Sequence, residues 1–118
     1  MEQTPPQSGG SLDAPLSKLR QWYEDQCNGD WEHQFGIKID TLDNPGWLLE
    51  VDLSDTNLEG ICHSRAERTS SESDWIDIRV DGTKFIGTGD VKKLEHIIFQ
   101  FIFFAENGHI EGFSDPEE

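Results

Sequence analysis

Two runs of alternating apolar and polar residues flank Asn44-Pro45-Gly46 and constrain this chain more than any other feature. Before the break, Phe35, Ile37, Ile39 and Thr41 share one parity and Gly36, Lys38 and Asp40 the other. After it, Trp47, Leu49, Val51 and Leu53 alternate with Leu48, Glu50 and Asp52. Neighbouring strand residues point to opposite faces, so this period of two marks half-buried strands. Asn-Pro-Gly is a turn former. The pattern therefore predicts a β-hairpin, and it restricts the register. A two-residue loop would set Ile39 opposite Asp52. A three-residue loop, Asn44 to Gly46, sets Ile39 opposite Val51, Ile37 opposite Leu53 and Thr41 opposite Leu49, with Gly46 in the left-handed position. The odd loop is therefore expected. It places Lys38 opposite Asp52 and Asp40 opposite Glu50. That second, like-charged pair costs stability; it is either screened by water or marks a place for a cation.

The remaining elements follow from period and punctuation. Residues 1–11, rich in Pro, Gly, Ser and Gln, read as a disordered arm. A helix is expected from Asp13 to Cys27, capped by Asp13, with Leu16, Leu19 and Tyr23 on one stripe beside Trp22 and Asn28-Gly29 after its end. Leu58 to Cys62 reads as a short strand and His63 to Ser73 as a polar loop. Trp75 to Val80 alternates as a strand, Asp81-Gly82 signals a hairpin, and Thr83 to Gly87 returns. A last helix is expected from Thr88-Gly89-Asp90, capped by Asp90, with Val91, Leu94, Ile98, Phe101, Ile102 and Ala105 as its apolar stripe. Phe99 and Phe103 lie one turn apart on a second face. Asn107-Gly108 ends that helix, and residues 114–118 form a frayed acidic tail. The predicted class is α+β: one domain over 12–113, with an N-terminal helix, an antiparallel sheet of four or five strands and a C-terminal helix, the helices on one face.

Charge narrows the function. The 118 residues carry 24 acids and 9 bases, a net charge of −15, which disfavours nucleic acid and anionic membranes and favours a basic partner. Acidity that serves solubility alone is the competing reading. The excess is uneven: from Gln21 to Ser64 ten acids face one base, Lys38. Four Trp and seven Phe supply core material that disordered chains lack. No apolar stretch reaches the roughly 20 residues of a membrane span. Met1 to Gly10 has neither a basic nor an apolar run, so no secretory signal is expected. Cys27 and Cys62 then read as reduced thiols of a cytoplasmic protein.

Catalytic and metal motifs are missing. No nucleophile elbow or P-loop occurs, and Gly87-Thr88-Gly89 lacks the third glycine of a dinucleotide fingerprint. Cys62 and His63 are sequence neighbours, whose side chains diverge on a strand, although a small hydrolase built on them or on paired acids is an alternative. Cys27, His33, Cys62, His63, His96 and His109 match neither CxxC nor HExxH spacing, so no metal or cofactor is expected. What stands out is tryptophan among acids: Asp30-Trp31-Glu32-His33, Asp74-Trp75, and Trp47 beside the hairpin acids. Exposed aromatics ringed by charge anchor protein interfaces. Trp22 and Trp47 read as core; Trp31 and Trp75 fit core or interface equally.

These stretches carry a resemblance. Leu19–Tyr23 (LRQWY), Gln26–His33 (QCNGDWEH), Gly36–Ile39 (GIKI), Thr41–Trp47 (TLDNPGW), VDLSDTNLEG at 51–60, SDWI at 73–76, FIGTG at 85–89 and the closing helix resemble a bacterial polymorphic-toxin immunity protein family, the one numbered fifty-three. The resemblance covers about residues 16–105. It implies a protein without catalysis or cofactor that binds and neutralises a cognate toxin, often a nuclease. The expected toxin-binding residues are Asp30, Trp31, Glu32, His33, Asp40, Glu50, Asp52, Asp74 and Trp75. The expected state is a monomer or weak homodimer. A homo-oligomeric scaffold joined through Phe99 and Phe103 is a further alternative.

Overall fold

A computed structural model describes residues 10–111 of the chain. The element order is α1 (Gly10–Gln26), α2 (Trp31–Gln34), β1 (Ile37–Leu42), β2 (Gly46–Asp52), β3 (Cys62–Ser71), β4 (Asp74–Asp81), β5 (Lys84–Gly89) and α3 (Leu94–Asn107). The five strands form one antiparallel sheet in the order β1-β2-β5-β4-β3, and the helices cover one face, as the α+β reading predicts. The other face is open among the described residues. The core lies between sheet and α3. Leu49, Val51, Ile76, Ile78, Val80 and Phe85 from the strands meet Ile97, Ile98, Phe101 and Phe104.

Several expectations change. Helix α1 begins at Gly10, so Asp13 lies inside it and not at its cap, and Gly10 and Ser11 belong to the helix. The rest of the proposed arm and the 114–118 tail lie outside the described residues. Of the α1 stripe only Leu19 is buried; Leu16 and Tyr23 are exposed. Residues 63–71, read as a loop, are the edge strand β3. An edge strand exposed on most of its surface needs no apolar period, because its partner's hydrogen bonds and side chains hold it. Leu58 to Ile61, in contrast, is not strand.

The β1–β2 hairpin keeps the predicted parity and odd loop but shifts by two residues. Ile37 pairs with Val51, Ile39 with Leu49, Thr41 with Trp47 and Leu42 with Gly46, so the loop is Asp43 to Pro45. Gly46 is not in the left-handed region; it lies in β2, where a Cβ would strike the Gly89 carbonyl. The shift also removes the like-charged pair, since Lys38 now faces Glu50 and Asp40 faces Leu48. At the β4–β5 turn Gly82 takes φ 95° and Asp81 Oδ1 accepts from the amides of Thr83 (2.9 Å) and Lys84 (2.8 Å). The two-residue loop is thus Gly82-Thr83, one position after the predicted pair.

Thr88 and Gly89 continue β5, and α3 starts later than predicted, at Leu94. Val91 is therefore 53% exposed and leaves the apolar stripe. Asp90 does not cap α3. It is 2% exposed and ties the end of β5 to β4 and to the turn before α3. Its carboxylate accepts from the amides of Trp75 (2.8 Å) and Lys92 (2.8 Å) and meets Lys93 Nζ at 2.6 Å. Burial pushes the Asp90 carboxyl up, but Lys93 and the two amides outweigh it and hold its pKa at about 2.

A carboxylate whose pKa falls on folding adds stability above its unfolded value, and loses it as pH drops through the folded one. We expect Asp90→Asn to cost about 2 kcal/mol near neutral pH. The gap to the native chain should close between about pH 4 and pH 2, as read from urea midpoints across that range. A constant gap would show that the charge of Asp90 is not what matters. Gly87→Val should cost about 1–3 kcal/mol or more by overpacking. Even a bare Cβ there would lie 2.6 Å from Ile97 Cγ2. Thermal unfolding reads this directly.

Candidate protein-binding surface

Helix α1 stops at Gln26, and Gly29 takes φ 90° in the turn that follows. The turn is held by its own polar side chains. Asn28 Oδ1 accepts from the amides of Asp30 and Trp31, both at 2.9 Å. The Glu32 carboxylate reaches back to the amides of Asn28 (2.9 Å) and Gly29 (2.8 Å). Backbone amides, including its own, hold the Glu32 carboxyl below its ordinary range. This arrangement starts the short helix α2 and aims Trp31 inward.

Trp31 is 2% exposed, so it is no surface anchor. Its ring meets Trp22 edge-on at 6.0 Å and packs by Tyr23 and Phe35, both at 6.1 Å. Its indole Nε1 donates to the Ser54 carbonyl at 2.9 Å. A buried indole N–H seeks an acceptor, and here that acceptor lies on the loop 53–61. The same loop runs past the β4–β5 turn, through Leu53 N to Thr83 O (2.8 Å) and Gly60 N to Gly82 O (2.8 Å). Asp52 Oδ2 adds a third tie, accepting from the Gly36 amide at 2.9 Å.

These contacts gather one end of the molecule. Asp30 and Glu32 come from the α2 turn, Glu50 and Asp52 from β2, Asp55 and Glu59 from the loop, and Asp81 from the β4–β5 turn. Glu24 and Asp25 close α1 beside them. Lys38 stands across from Glu50 on β1, and among the described residues Lys84 is the lysine that ion-pairs within this group. Its Nζ lies 2.6 Å from Glu50 and 3.2 Å from Asp52. Both carboxylates raise the Lys84 pKa, Glu50 most. Asp30 and Asp55 are exposed.

The nine predicted residues do not form one patch. Asp30, Glu32, His33, Glu50 and Asp52 lie at the acidic end, with Trp31 beneath them. Asp40 is exposed toward the far end of the open face, facing Leu48 and accepting from the Thr41 amide at 2.8 Å. Trp75 is half-buried at that far end, lining a shallow groove with Asn44, Thr69, Ser71 and Glu72. Asp74 turns toward α3 and meets Lys93 Nζ at 2.7 Å. The sequence pattern does not bring Asp55, Glu59 and Asp81 into this group, because hydropathy does not show which loops share an end. The middle of the open face is charge-balanced: Asp77 is buried between Arg65 (2.6 Å) and Arg79 (3.5 Å).

The other sequence alternatives have their own places. The Cys62 thiol faces the Gly60 carbonyl at 3.9 Å, while His63 Nδ1–H donates to the Ser64 carbonyl at 2.9 Å. Thiol and imidazole are thus engaged with different carbonyls and not with each other. Phe99 is 39% exposed and stacks on Phe103 at 6.1 Å, over a groove completed by Ala14, Pro15 and Ile102. Cys27 and Cys62 are both free and exposed. No described helix is long and apolar enough to cross a membrane.

No curated protein and no solved structure matches the chain. A family model does: that of Immunity protein 53 matches residues 16–106, which takes in α2 and every strand and reaches from within α1 almost to the end of α3. The chain belongs to the Immunity protein 53 family.

Proposed function

We propose that this chain binds and neutralises a cognate bacterial toxin in the cytoplasm, using its acidic end to cover a basic surface of that toxin. Family membership supports an immunity role. The observation that carries the surface assignment is the gathering of acids from four separate segments, of which only Glu50 and Asp52 are ion-paired to Lys84 among the described residues. Such a field speeds encounter with a cationic partner and penalises acidic ones. A contact of ordinary size buries about 1,600 Å² in total, enough to cover the α2 turn, the 53–61 loop and the near end of the open face. A nuclease is the toxin class this surface suits best, because its carboxylates can take positions that phosphates occupy in the nucleic acid.

The contacting groups are divided by role. Asp30, Asp55, Glu24 and Asp25 are exposed and meet the toxin directly. Glu32, Asp52 and Asp81 hold backbone amides and shape the surface. Trp31 works from below by tying turn to loop. Trp75 and Asp40 lie at the other end and are touched only by a toxin that spans the whole sheet.

The test uses the toxin encoded next to this chain. Asp30→Lys and Asp55→Lys should each weaken toxin binding by about tenfold or more and reduce the fall in affinity with added salt. Survival of toxin-poisoned cells should drop in the same order. Unchanged affinity and salt dependence in both variants would remove the acidic end from the mechanism. Trp31→Ala should act differently: it creates a cavity, costs about 3–5 kcal/mol of stability, and loosens the 53–61 loop in hydrogen exchange.

A further inference from the structure

The free edge of β1 carries features that the toxin-binding reading does not use. Strand β1 borders the sheet, and its helix-side residue Ile39 is 43% exposed although its partner Leu49 is fully buried. Leu16 and Tyr23 of α1 are also exposed, and with Leu19, Arg20, Gly36 and Ile37 they line a largely apolar slot beside the strand. Three of the five large hydrophobic side chains exposed among the described residues therefore surround one sheet edge. Among the described residues, the layer is open at the position of a sixth strand.

The edge's hydrogen-bonding groups are set by parity. The Gly36 carbonyl accepts from Asp52 N, so even-numbered residues of β1 face β2. Ile37, Ile39 and Thr41 then present their amides and carbonyls outward. On the open face, Lys38 and Asp40 flank Ile39, and neither makes an ion pair among the described residues.

We propose that a second copy of this chain pairs with β1 through its own β1, antiparallel and about a two-fold axis at Ile39, joining two five-stranded sheets into one. A two-fold relating antiparallel strands keeps both helix layers on the same side. Outward groups must meet outward groups, so the register moves only in steps of two residues. At the Ile39 register, Ile39 meets Ile39, Ile37 meets Thr41, and Lys38 meets Asp40 of the second copy, twice by symmetry. A slide by one step in either direction sets Lys38 against Lys38 or Asp40 against Asp40. Opposite charges on facing residues stabilise a pair and like charges oppose it, so charge selects one register. The Thr41 amide, now held by the Asp40 carboxylate, is released to the second strand as Lys38 takes that carboxylate. The Phe99–Phe103 groove offers no such selection, because Lys18 and Glu106 beside it are 3.7 Å apart and engage each other.

Light scattering and sedimentation on the full chain test the pairing. The native chain should run as a concentration-dependent dimer. Lys38→Asp and Asp40→Lys should each raise the dimer dissociation constant about tenfold or more, with circular dichroism unchanged. An equimolar mixture of the two variants should form a heterodimer, since its acidic edge then faces its basic one. The double variant should dimerise alone. A native chain that stays monomeric at high concentration overturns the proposal, as does a dimer indifferent to both reversals. A chain that is monomeric by itself, but gains amide protection at 37–41 when the toxin is added, overturns it in favour of a strand donated by the toxin. Toxin affinity is scored separately in the same variants, so failure here leaves the acidic-end assignment standing.

Discussion

Ile97 of α3 lies in the space that a side chain on Gly87 would fill, and Lys93 lies over Gly89 in the same way. This close seating of α3 on β5 supports the rest. Phe101 and Phe104 reach Phe85 from that position, at 5.2 and 6.0 Å between ring centres. Helix α1 packs in turn on α3, through Trp22 against Phe101 at 4.9 Å. Through Trp22 the packing continues to Trp31 and, by one indole hydrogen bond, to the 53–61 loop. The acidic end is thus the far terminus of a chain of contacts that starts at two glycines.

That dependence explains why polar residues at this end serve the backbone. Interior burial orders a helix or strand, but a turn over the rim of a sheet has little apolar surface to bury, and its amides must find other acceptors. Asn28, Glu32, Asp52, Glu59 and Asp81 supply them. The same carboxylates leave a negative field outside, so shape and charge of the surface come from one set of groups. A protein whose partner is cationic gains both from each acid.

The two proposed interfaces differ in kind. The acidic end is electrostatic and loop-built, suited to a partner approaching from solution. The β1 edge is directional, read by backbone groups and two charges, and suited to a strand of matched register. Edge strands invite pairing. At the opposite edge β3 carries two register irregularities, between His63 and Ala66 and between Thr69 and Ser71. Bulges of this sort disrupt the ladder and disfavour pairing, whereas β1 pairs regularly along its length. One edge is blunted and the other left regular.

The sequence by itself determined the α+β class, the parities of β1, β2 and β4 and the odd hairpin loop, because each depends on periods within a few residues; the run 97–104 suits helix or strand by composition, and its packing on the sheet made it α3. The sequence also located the excess charge between residues 21 and 64. Tertiary structure decided the rest. The hairpin slipped two residues because parity permits any even step; the observed step sets Lys38 against Glu50 and takes Asp40 away from it. Residues 62–71 became a strand because β4 supplies hydrogen bonds that no local pattern announces. Trp31 went inside because Trp22, Tyr23 and Phe35 surround its ring and Ser54, remote in the chain, accepts from its indole. Likewise Lys84 neutralises part of the acidity that residues 50 and 52 carry, since β5 lies beside β2. Local sequence sets what each segment can do; which partner completes it is a matter of contacts between segments distant along the chain.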